Sequence, residues 1–311
     1  MTRPIIAWLV LSTIWGSTWL FIKLGLQELP PFTFAWARFA VALVPLLLLW
    51  LWRGGKLPRN RSEWGLVLAT GWLTFSLNYA LVYWAELHIS SGLAALLYTT
   101  HPLFGLVLAH FMLPEEPMST AKLSGVLLSM VGVAAIFSHQ LEWKGWQAML
   151  GSAAVVVAAC GSSVAVTLIR KHGRAMDSLT LTLGQMFFGW LPLLGIGLVW
   201  EGNPLRFSWS WPALGALLYL GIMGTALTFW LLNWLLKNMA ATKTQLIPFF
   251  STVIAVFLGW LILNEVLDLK TLLGGVMILI GLYISSKKKR AGAKTWTPVS
   301  VKEETASCLP Q

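Results

Sequence analysis

The sequence predicts an all-α membrane protein with ten transmembrane helices in two inverted five-helix repeats. Three observations lead to this prediction: an apolar composition, a series of apolar stretches about 20 residues long, and a similarity between the two halves of the chain. Of the 311 residues, 57% are hydrophobic and 11% are charged, and the mean hydropathy is +0.72. Soluble domains contain about 25% charged residues, so lipid is the main solvent expected for this chain.

Apolar stretches bounded by charged residues, proline or loop residues predict the individual helices. About 20 residues suffice for an α-helix to cross roughly 30 Å of hydrocarbon. The predicted spans are residues 4–22, 32–52, 64–85, 92–113, 120–138, 146–168, 178–200, 212–236, 240–262 and 267–286. The first span is longer than the apolar core of a signal peptide and no small-x-small cleavage site follows it, so we expect a retained helix.

The distribution of basic residues predicts the orientation. Ten spans bring both termini to the same side, and 17 of the 22 Lys and Arg residues fall on that side, against four on the other and Arg38 within a span. Cytoplasmic loops carry an excess of Lys and Arg. We therefore expect a multi-pass protein of the cell membrane with cytoplasmic termini, the lipid bilayer as a partner and no nucleic acid. The tail, residues 287–311, is basic and then polar, which predicts disorder.

Shifts of 147 and then 149 residues align the two halves, predicting one repeat over residues 1–138 and a second over residues 139–286. Each repeat has five helices, an odd number, so the second must enter the membrane from the opposite side. Inverted repeats of this kind allow a midplane site to face either side alternately. Aligned residues include Pro45 with Pro192, Glu116 with Glu265, Gly125 with Gly274 and Gly132 with Gly281.

Arg38 is the most informative charged residue. It lies seven residues after Pro31, about 10 Å below the membrane surface at 1.5 Å per residue, where a charge is costly and by default a functional hypothesis. Two interpretations stay open: Arg38 snorkels or binds backbone carbonyls structurally, or it contacts a substrate. The central parts of the spans contain no Asp or Glu, so a carboxylate proton relay is not expected.

Polar and aromatic side chains deep in other spans predict the lining of a central cavity. His101 and Asn78 lie at similar depths, and His101 can line the cavity, pack between helices or take part in proton coupling. Trp15, Tyr79 and Trp230 form an apolar wall for a substrate or serve packing alone. The residues predicted to bind substrate are Trp15, Arg38, Asn78, Tyr79, Tyr98, His101, Gln185, Thr228, Trp230 and Gln245.

The sequence offers no pattern for catalysis or a bound cofactor. Its five histidines are scattered and its two cysteines, Cys160 and Cys308, lie far apart, so neither a metal cluster nor a disulfide is expected. A phosphate-binding Walker motif is missing, which argues against direct use of ATP. We expect no catalytic residues, no metal and no cofactor. Glu116 and Glu265 each stand shortly before a helix, where a carboxylate can accept free backbone N–H groups. We expect a role in helix capping or in gating, in preference to transport chemistry.

Four groups of residues form recognisable motifs: Trp15-Gly16-Ser17-Thr18, Arg38-Phe39, Glu115-Glu116 with Gly125 and Gly132, and Asn264-Glu265 with Gly274 and Gly281. Together they resemble the motifs of the EamA-type transporters of the drug/metabolite transporter superfamily. The resemblance covers about residues 4–286 and implies ten helices in two inverted halves, export of amino acids or related metabolites, and a monomer. The family's proline before the glutamate is matched by Pro102, whereas Ser251 stands at that place in the second half and the proline is at Pro248.

These observations favour a secondary transporter that moves a small molecule by alternating access. Three possibilities stay open for its energetics: coupling to a proton, exchange with a counter-substrate, or uncoupled transport. Arg38 suits a substrate with a carboxylate. Transport of nucleotide sugars, phosphorylated sugars or drugs on the same fold is an alternative, although phosphates favour several intramembrane cations. A non-transporting membrane subunit is a further alternative, which the inverted repeat disfavours.

Overall fold

In a computed structural model, the described residues are 2–112, 118–143, 145–173, 176–238, 247–265 and 267–286. Within them the chain is helical and contains no strand, which confirms the all-α prediction. The helices are α1 (Thr2–Gly25), α2 (Pro31–Trp52), α3 (Arg61–Ala85), α4 (Ser91–Met112), α5 (Thr120–Trp143), α6 (Gly145–His172), α7 (Ser178–Glu201), α8 (residues 211–238), α9 (Ile247–Leu263) and α10 (Leu269–Ser286).

Seven of these helices, α1 to α4 and α6 to α8, are long and apolar enough to cross a membrane, and the described parts of α5, α9 and α10 contain shorter apolar helices. Their bounds lie within a few residues of the predicted spans. The predicted start of the ninth span, residues 240–246, lies outside the described residues, as do Glu116, Gln245 and the tail after residue 286.

Short polar side chains at the N-termini explain where several helices begin. Asn60 accepts a hydrogen bond from the Glu63 amide at 2.9 Å, and Asp177 accepts one from the Thr180 amide at 2.9 Å. Asp268 receives the Thr271 amide at 2.8 Å. Such caps satisfy N–H groups that have no partner within the helix, and they place the start of each helix at the boundary of its apolar stretch.

Four helices depart from regular α-helical geometry, three in their interior and α7 at its end. In α3 the residues Trp72–Leu77 form a π-helix, in α8 the residues Tyr219–Leu227 do so, and α7 ends in a π-helix over Gly197–Glu201. Helix α4 is interrupted at Thr99–Thr100, between segments Ser91–Tyr98 and His101–Met112. Pro102 explains the interruption, because it has no N–H to donate to the Tyr98 carbonyl. Irregular helical backbone of this kind is frequent at functional sites.

The core has two main parts. One lies between α2, α3, α7 and α8 and includes the fully buried side chains of Phe34, Phe39, Phe75 and Tyr83. The other lies between α4, α5, α6 and α10, around residues such as Leu93, Leu97, Val155, Ile136 and Ile278. Tyr98 and Trp19 pack against both. Tyr98, at the interruption of α4, therefore lies at the junction between the two parts of the core.

Helices α5 and α10 pack closely through glycines. A Cβ added at Gly132 would lie 2.4 Å from the Gly274 carbonyl oxygen, and one added at Gly281 would lie 2.3 Å from the Gly125 carbonyl oxygen. Only a residue without a side chain permits such backbone contact. Since the higher-numbered glycine of α10 meets the lower-numbered glycine of α5, the two helices run antiparallel.

Candidate functional site

Arg38 joins three helices in the middle of the bundle. Its side chain is 2% exposed and donates three hydrogen bonds: from Nε to Thr225 Oγ1 at 2.9 Å, from Nη1 to Tyr83 Oη at 3.2 Å, and from Nη2 to the Gly224 carbonyl at 3.1 Å. A guanidinium has five N–H donors, so these bonds leave part of its capacity unused. The guanidinium connects α2 with α3 and α8.

The groups that contact the Arg38 guanidinium directly are neutral. Its guanidinium carbon lies 5.0 Å from the centroid of the Tyr79 ring, a cation–π contact. Among the described residues, no carboxylate accepts a hydrogen bond from Arg38. A buried cation that bonds directly to no carboxylate is costly in a membrane, and it favours the approach of an anionic group from a ligand.

The π-helix of α8 presents the groups that receive Arg38. Thr225 bonds through its hydroxyl to the Leu220 carbonyl at 2.8 Å, five residues earlier, which fits the wider π turn. The Gly224 carbonyl accepts both Arg38 and the hydroxyl of Thr228, the latter at 2.9 Å. Thr228, a predicted site residue, is fully buried and bonds to its own helix while sharing an acceptor with Arg38.

A second polar and aromatic group surrounds the interruption of α4. The rings of Tyr98 and His101 are stacked, with centroids 5.9 Å apart and an interplanar angle of 9°. Tyr98 also meets the edge of Trp19 at 5.6 Å and bonds to Ser162 Oγ at 3.2 Å. Tyr98 and His101 are partly exposed although they lie far from the helix ends, which is typical of side chains that border an internal space.

Asn78 and Tyr79 lie between the two groups, directly after the π-helix of α3. Tyr79 contacts Arg38 and packs against the same part of the core as Tyr98. Asn78 is 6% exposed, and its Oδ1 has no hydrogen-bond donor among the described residues. A buried amide oxygen without a donor is uncommon, so Asn78 is suited to receive a donor from a ligand.

The remaining predicted site residues lie elsewhere or outside the described part. Gln185 donates to Thr70 Oγ1 at 2.6 Å between α3 and α7. Trp15 packs with an apolar group that includes Leu11, and Trp230 is 46% exposed. Gln245 lies outside the described residues. The structure thus brings Arg38, Asn78, Tyr79, Tyr98, His101 and Thr228 into one region, and it gives Gln185 a separate contact.

Sequence analysis did not select four members of this region. They are Trp19, Tyr83, Ser162 and, in its role as a hydrogen-bond partner of Arg38, Thr225. Thr225 stands out as an intramembrane hydroxyl, but its sequence distance from Arg38 is 187 residues. Hydroxyls are common in membrane helices, so spacing alone does not select these four. The signal that could have found Thr225 is the repeat itself, since the 147-residue shift aligns it with Asn78.

Two carboxylates from the second half of the chain hold helix ends of the first half. Glu265 accepts the amides of Ser91 at 2.8 Å and Gly92 at 3.1 Å, at the start of α4. Glu201 likewise accepts the amides of Phe32 at 2.9 Å and Thr33 at 2.6 Å, at the start of α2. The prediction that Glu265 accepts backbone N–H groups is confirmed, but the helix is α4 and not the α10 that follows it.

A basic cavity of about 410 Å³ opens at the opposite end of the bundle. It lies where α2 ends and α3 and α7 begin, and its lining includes Arg53, Lys56 and Arg59 together with Glu63 and Asp177. The cations outnumber the carboxylates there. This end of the bundle therefore attracts anions.

Comparisons with known proteins agree with this architecture. The sequence pattern described as the EamA-like transporter family matches the chain twice, over residues 2–138 and 149–287. The uncharacterized transporter YoaV of Bacillus subtilis is 26% identical over 292 residues, which cover 92% of this chain and 97% of that protein. An uncharacterized transporter of Archaeoglobus fulgidus is 30% identical over 283 residues, which cover 89% and 94%.

One solved crystal structure, 17% identical in sequence, superposes with a TM-score of 0.63 and covers 90% of this chain and 96% of that one. At this level of identity the likeness concerns the fold alone. The double family match spans nearly all of the helical part of the chain, and seven of its described helices are long and apolar enough to cross a bilayer. The chain therefore belongs to the EamA-like transporter family and is a multi-pass membrane transporter.

Proposed function

We propose that this protein is a secondary transporter that exports amino acids or similar small metabolites bearing a carboxylate. The observation that carries the proposal is the buried guanidinium of Arg38, which donates no hydrogen bond to a carboxylate among the described residues and lies against the ring of Tyr79. A substrate carboxylate would neutralise this charge, and the partly exposed rings of Tyr79 and Tyr98 would contact an apolar side chain.

Alternating access in this proposal depends on ten helices in two inverted repeats. Two irregular segments support the arrangement: the π-helices begin at Trp72 and Tyr219, which are 147 residues apart, the same shift that aligns the halves. Helix interiors contain proline at Pro45 and Pro192, again 147 residues apart. Equivalent irregularities at equivalent positions are expected if one ancestral unit was duplicated.

Backbone contacts between the halves support the same arrangement. A Cβ at Gly71 of α3 would lie 2.6 Å from the Gln185 carbonyl oxygen of α7, and one at Gly221 of α8 would lie 3.1 Å from the Arg38 carbonyl oxygen of α2. The 147-residue shift aligns Arg38 with Gln185. Helices α2 and α7 thus each meet a glycine of the opposite half at aligned carbonyls, although the shift aligns Gly71 with Leu218 and not with Gly221. The antiparallel pair α5–α10 fits an inverted relation.

In this proposal both termini lie in the cytoplasm and the protein acts in the cell membrane. The basic cavity near Arg53 lies at the end of the bundle assigned to the cytoplasm, in agreement with the excess of Lys and Arg there.

Transport of phosphorylated or nucleotide-linked sugars is the second candidate. It is less favoured because a phosphate is usually held by several cations, whereas the described central region contains only Arg38 in that role.

Efflux of labelled compounds from proteoliposomes tests the proposal, with amino acids, organic acids, sugar phosphates and cationic drugs as the panel. We expect flux of one carboxylate-bearing class and stronger competition by the free acids than by their amides. Arg38→Gln removes the charge, and losing one charge-assisted hydrogen bond of about 1.5–3 kcal/mol predicts roughly 10- to 100-fold weaker competition by the acids.

The matched control is Arg206→Gln, which removes an exposed arginine beyond the end of α7 and should leave competition unchanged. The acid-to-amide ratio separates substrate contact from a purely structural role, because a merely destabilised protein would lose affinity for both. Equal competition by acids and amides in the wild type would refute carboxylate recognition. Flux of sugar phosphates alone would favour the second candidate.

A further inference from the structure

The Glu86 side chain is buried without a hydrogen-bond partner. Glu86 follows α3 directly, one residue beyond the span Arg61–Ala85. It is 0% exposed, and both carboxylate oxygens lack a hydrogen-bond donor among the described residues. An ionised carboxylate in such a place loses its hydration without compensation, whereas the neutral acid does not. Position in the sequence did not indicate this, because Glu86 stands at a helix end where carboxylates are usually solvated.

The nearest cation does not bond to the Glu86 carboxylate. Lys23 of α1 donates to the backbone carbonyl of Glu86 and to that of Ile89, the latter at 2.8 Å. Two of its three N–H donors are therefore directed at main-chain oxygens. The ammonium group acts on the carboxylate through space and does not satisfy its oxygens.

The nearest anion is already bound. Glu265 accepts the Ser91 amide and hydroxyl, at 2.8 and 2.9 Å, and the Gly92 amide at 3.1 Å. These three donors hold the Glu265 carboxylate at the start of α4. The Glu265 carboxylate therefore offers no donor to Glu86, and it acts against an ionised Glu86 carboxyl.

The charged groups around Glu86 act on its pKa in opposite directions, and burial is the largest influence. Burial raises the pKa of the Glu86 carboxyl well above its ordinary value, Lys23 lowers that pKa, Glu265 raises it and Arg38 of α2 lowers it. His88, on the turn after α3, packs its ring against Trp84. Burial and Glu265 both favour a neutral acid.

We propose that Glu86 is a proton-binding site of this transporter and that opening of this end of the bundle releases its proton. This end of the bundle joins four parts of the chain: α1 with Lys23, the end of α3 with Glu86, α4 with Ser91, and the residues after α9 with Glu265. Separation of these parts would hydrate the Glu86 carboxyl. A proton site at Glu86 goes beyond the proposed function, which leaves open whether transport is coupled to protons. It rests on the proposed function only because it requires that this end of the bundle opens. It does not depend on the substrate class.

The linkage has a definite sign. Because Glu86 binds its proton more tightly in the closed state, that state is fully favoured below the ordinary Glu pKa of about 4.3 and loses this advantage as the pH rises to the raised pKa. Within that window the ratio of open to closed protein should rise about tenfold per pH unit, the slope of one released proton. A neutral side chain at this position should abolish the slope.

Cysteine labelling measures this ratio. In a protein with Cys160→Ser and Cys308→Ser, the variant Ile89→Cys introduces a smaller, buried thiol next to Glu86, since Ile89 is 4% exposed. We expect its labelling rate, corrected for thiolate fraction, to rise up to about tenfold per pH unit, and to become slow and flat when Glu86→Gln is added. Glu28→Gln, an exposed carboxyl at the same end, should leave the slope intact.

Infrared difference spectra between about pH 5 and pH 9 provide an independent readout that needs no substrate and no cysteine. We expect a carbonyl-stretch band of a buried protonated carboxyl that disappears in Glu86→Gln and persists in Glu28→Gln. A slope unchanged by Glu86→Gln, or a band that survives in that variant, would overturn the proposal. A failure of the amino-acid flux assay with the slope and band intact would instead refute the proposed substrate.

Discussion

Replacement of Gly274 by alanine tests the close contact between α5 and α10. The new Cβ would lie 2.7 Å from the Gly132 carbonyl oxygen and 2.8 Å from Ile136 Cγ1. Ordinary van der Waals contact begins at 3.4 Å, so the helices must separate by roughly 0.7 Å at this point. Overpacking of this kind costs about 1–3 kcal/mol, while alanine in place of glycine stabilises a helix by about 1 kcal/mol.

The matched control is Gly215→Ala in α8, where an added Cβ would find no atom within 4 Å. That variant should gain about 0.5–1 kcal/mol from helix propensity alone. The free energies of unfolding of the two alanine variants should therefore differ by about 1–3 kcal/mol. The middle of this range corresponds to a difference of roughly 4–8 °C in apparent melting temperature. Thermal unfolding in detergent, followed by circular dichroism, measures the difference.

A Gly274→Ala protein as stable as Gly215→Ala would refute the close approach of α5 and α10. It would also remove one of the contacts that support an inverted relation between the halves. A loss confined to Gly274→Ala would agree with backbone contact between the two helices.

Two further predictions concern contacts across the halves. Glu201→Ala removes the acceptor of the Phe32 and Thr33 amides, which should lower stability by about 1–2 kcal/mol; an unchanged melting temperature in detergent would contradict this role. Gln185→Leu should preserve transport and change stability by less than about 1.5 kcal/mol, because the Thr70 hydroxyl keeps its bond to the Leu66 carbonyl at 2.6 Å. Loss of flux in proteoliposomes by a folded Gln185→Leu protein would instead indicate that Gln185 contacts substrate.

The central region was only partly predictable. Arg38, Asn78 and His101 stand out because a polar or charged side chain in an apolar span is rare and costly. Their partners do not stand out in the same way. Whether Arg38 faces a carboxylate, a hydroxyl or a lipid headgroup depends on which helix packs beside α2, and that information is absent from the local pattern.

Hydropathy and length determined the helices, because the need to bury about 20 apolar residues in the bilayer is a property of each stretch alone. Charges at helix ends and the aligned halves likewise belong to the sequence. Only the tertiary structure decided that Arg38 bonds to Thr225, 187 residues away, and that Glu265 holds the start of α4, 174 residues away. It also decided that Glu86 is buried. Such outcomes depend on which distant helices meet, and the periodicity of a single stretch does not encode its neighbours.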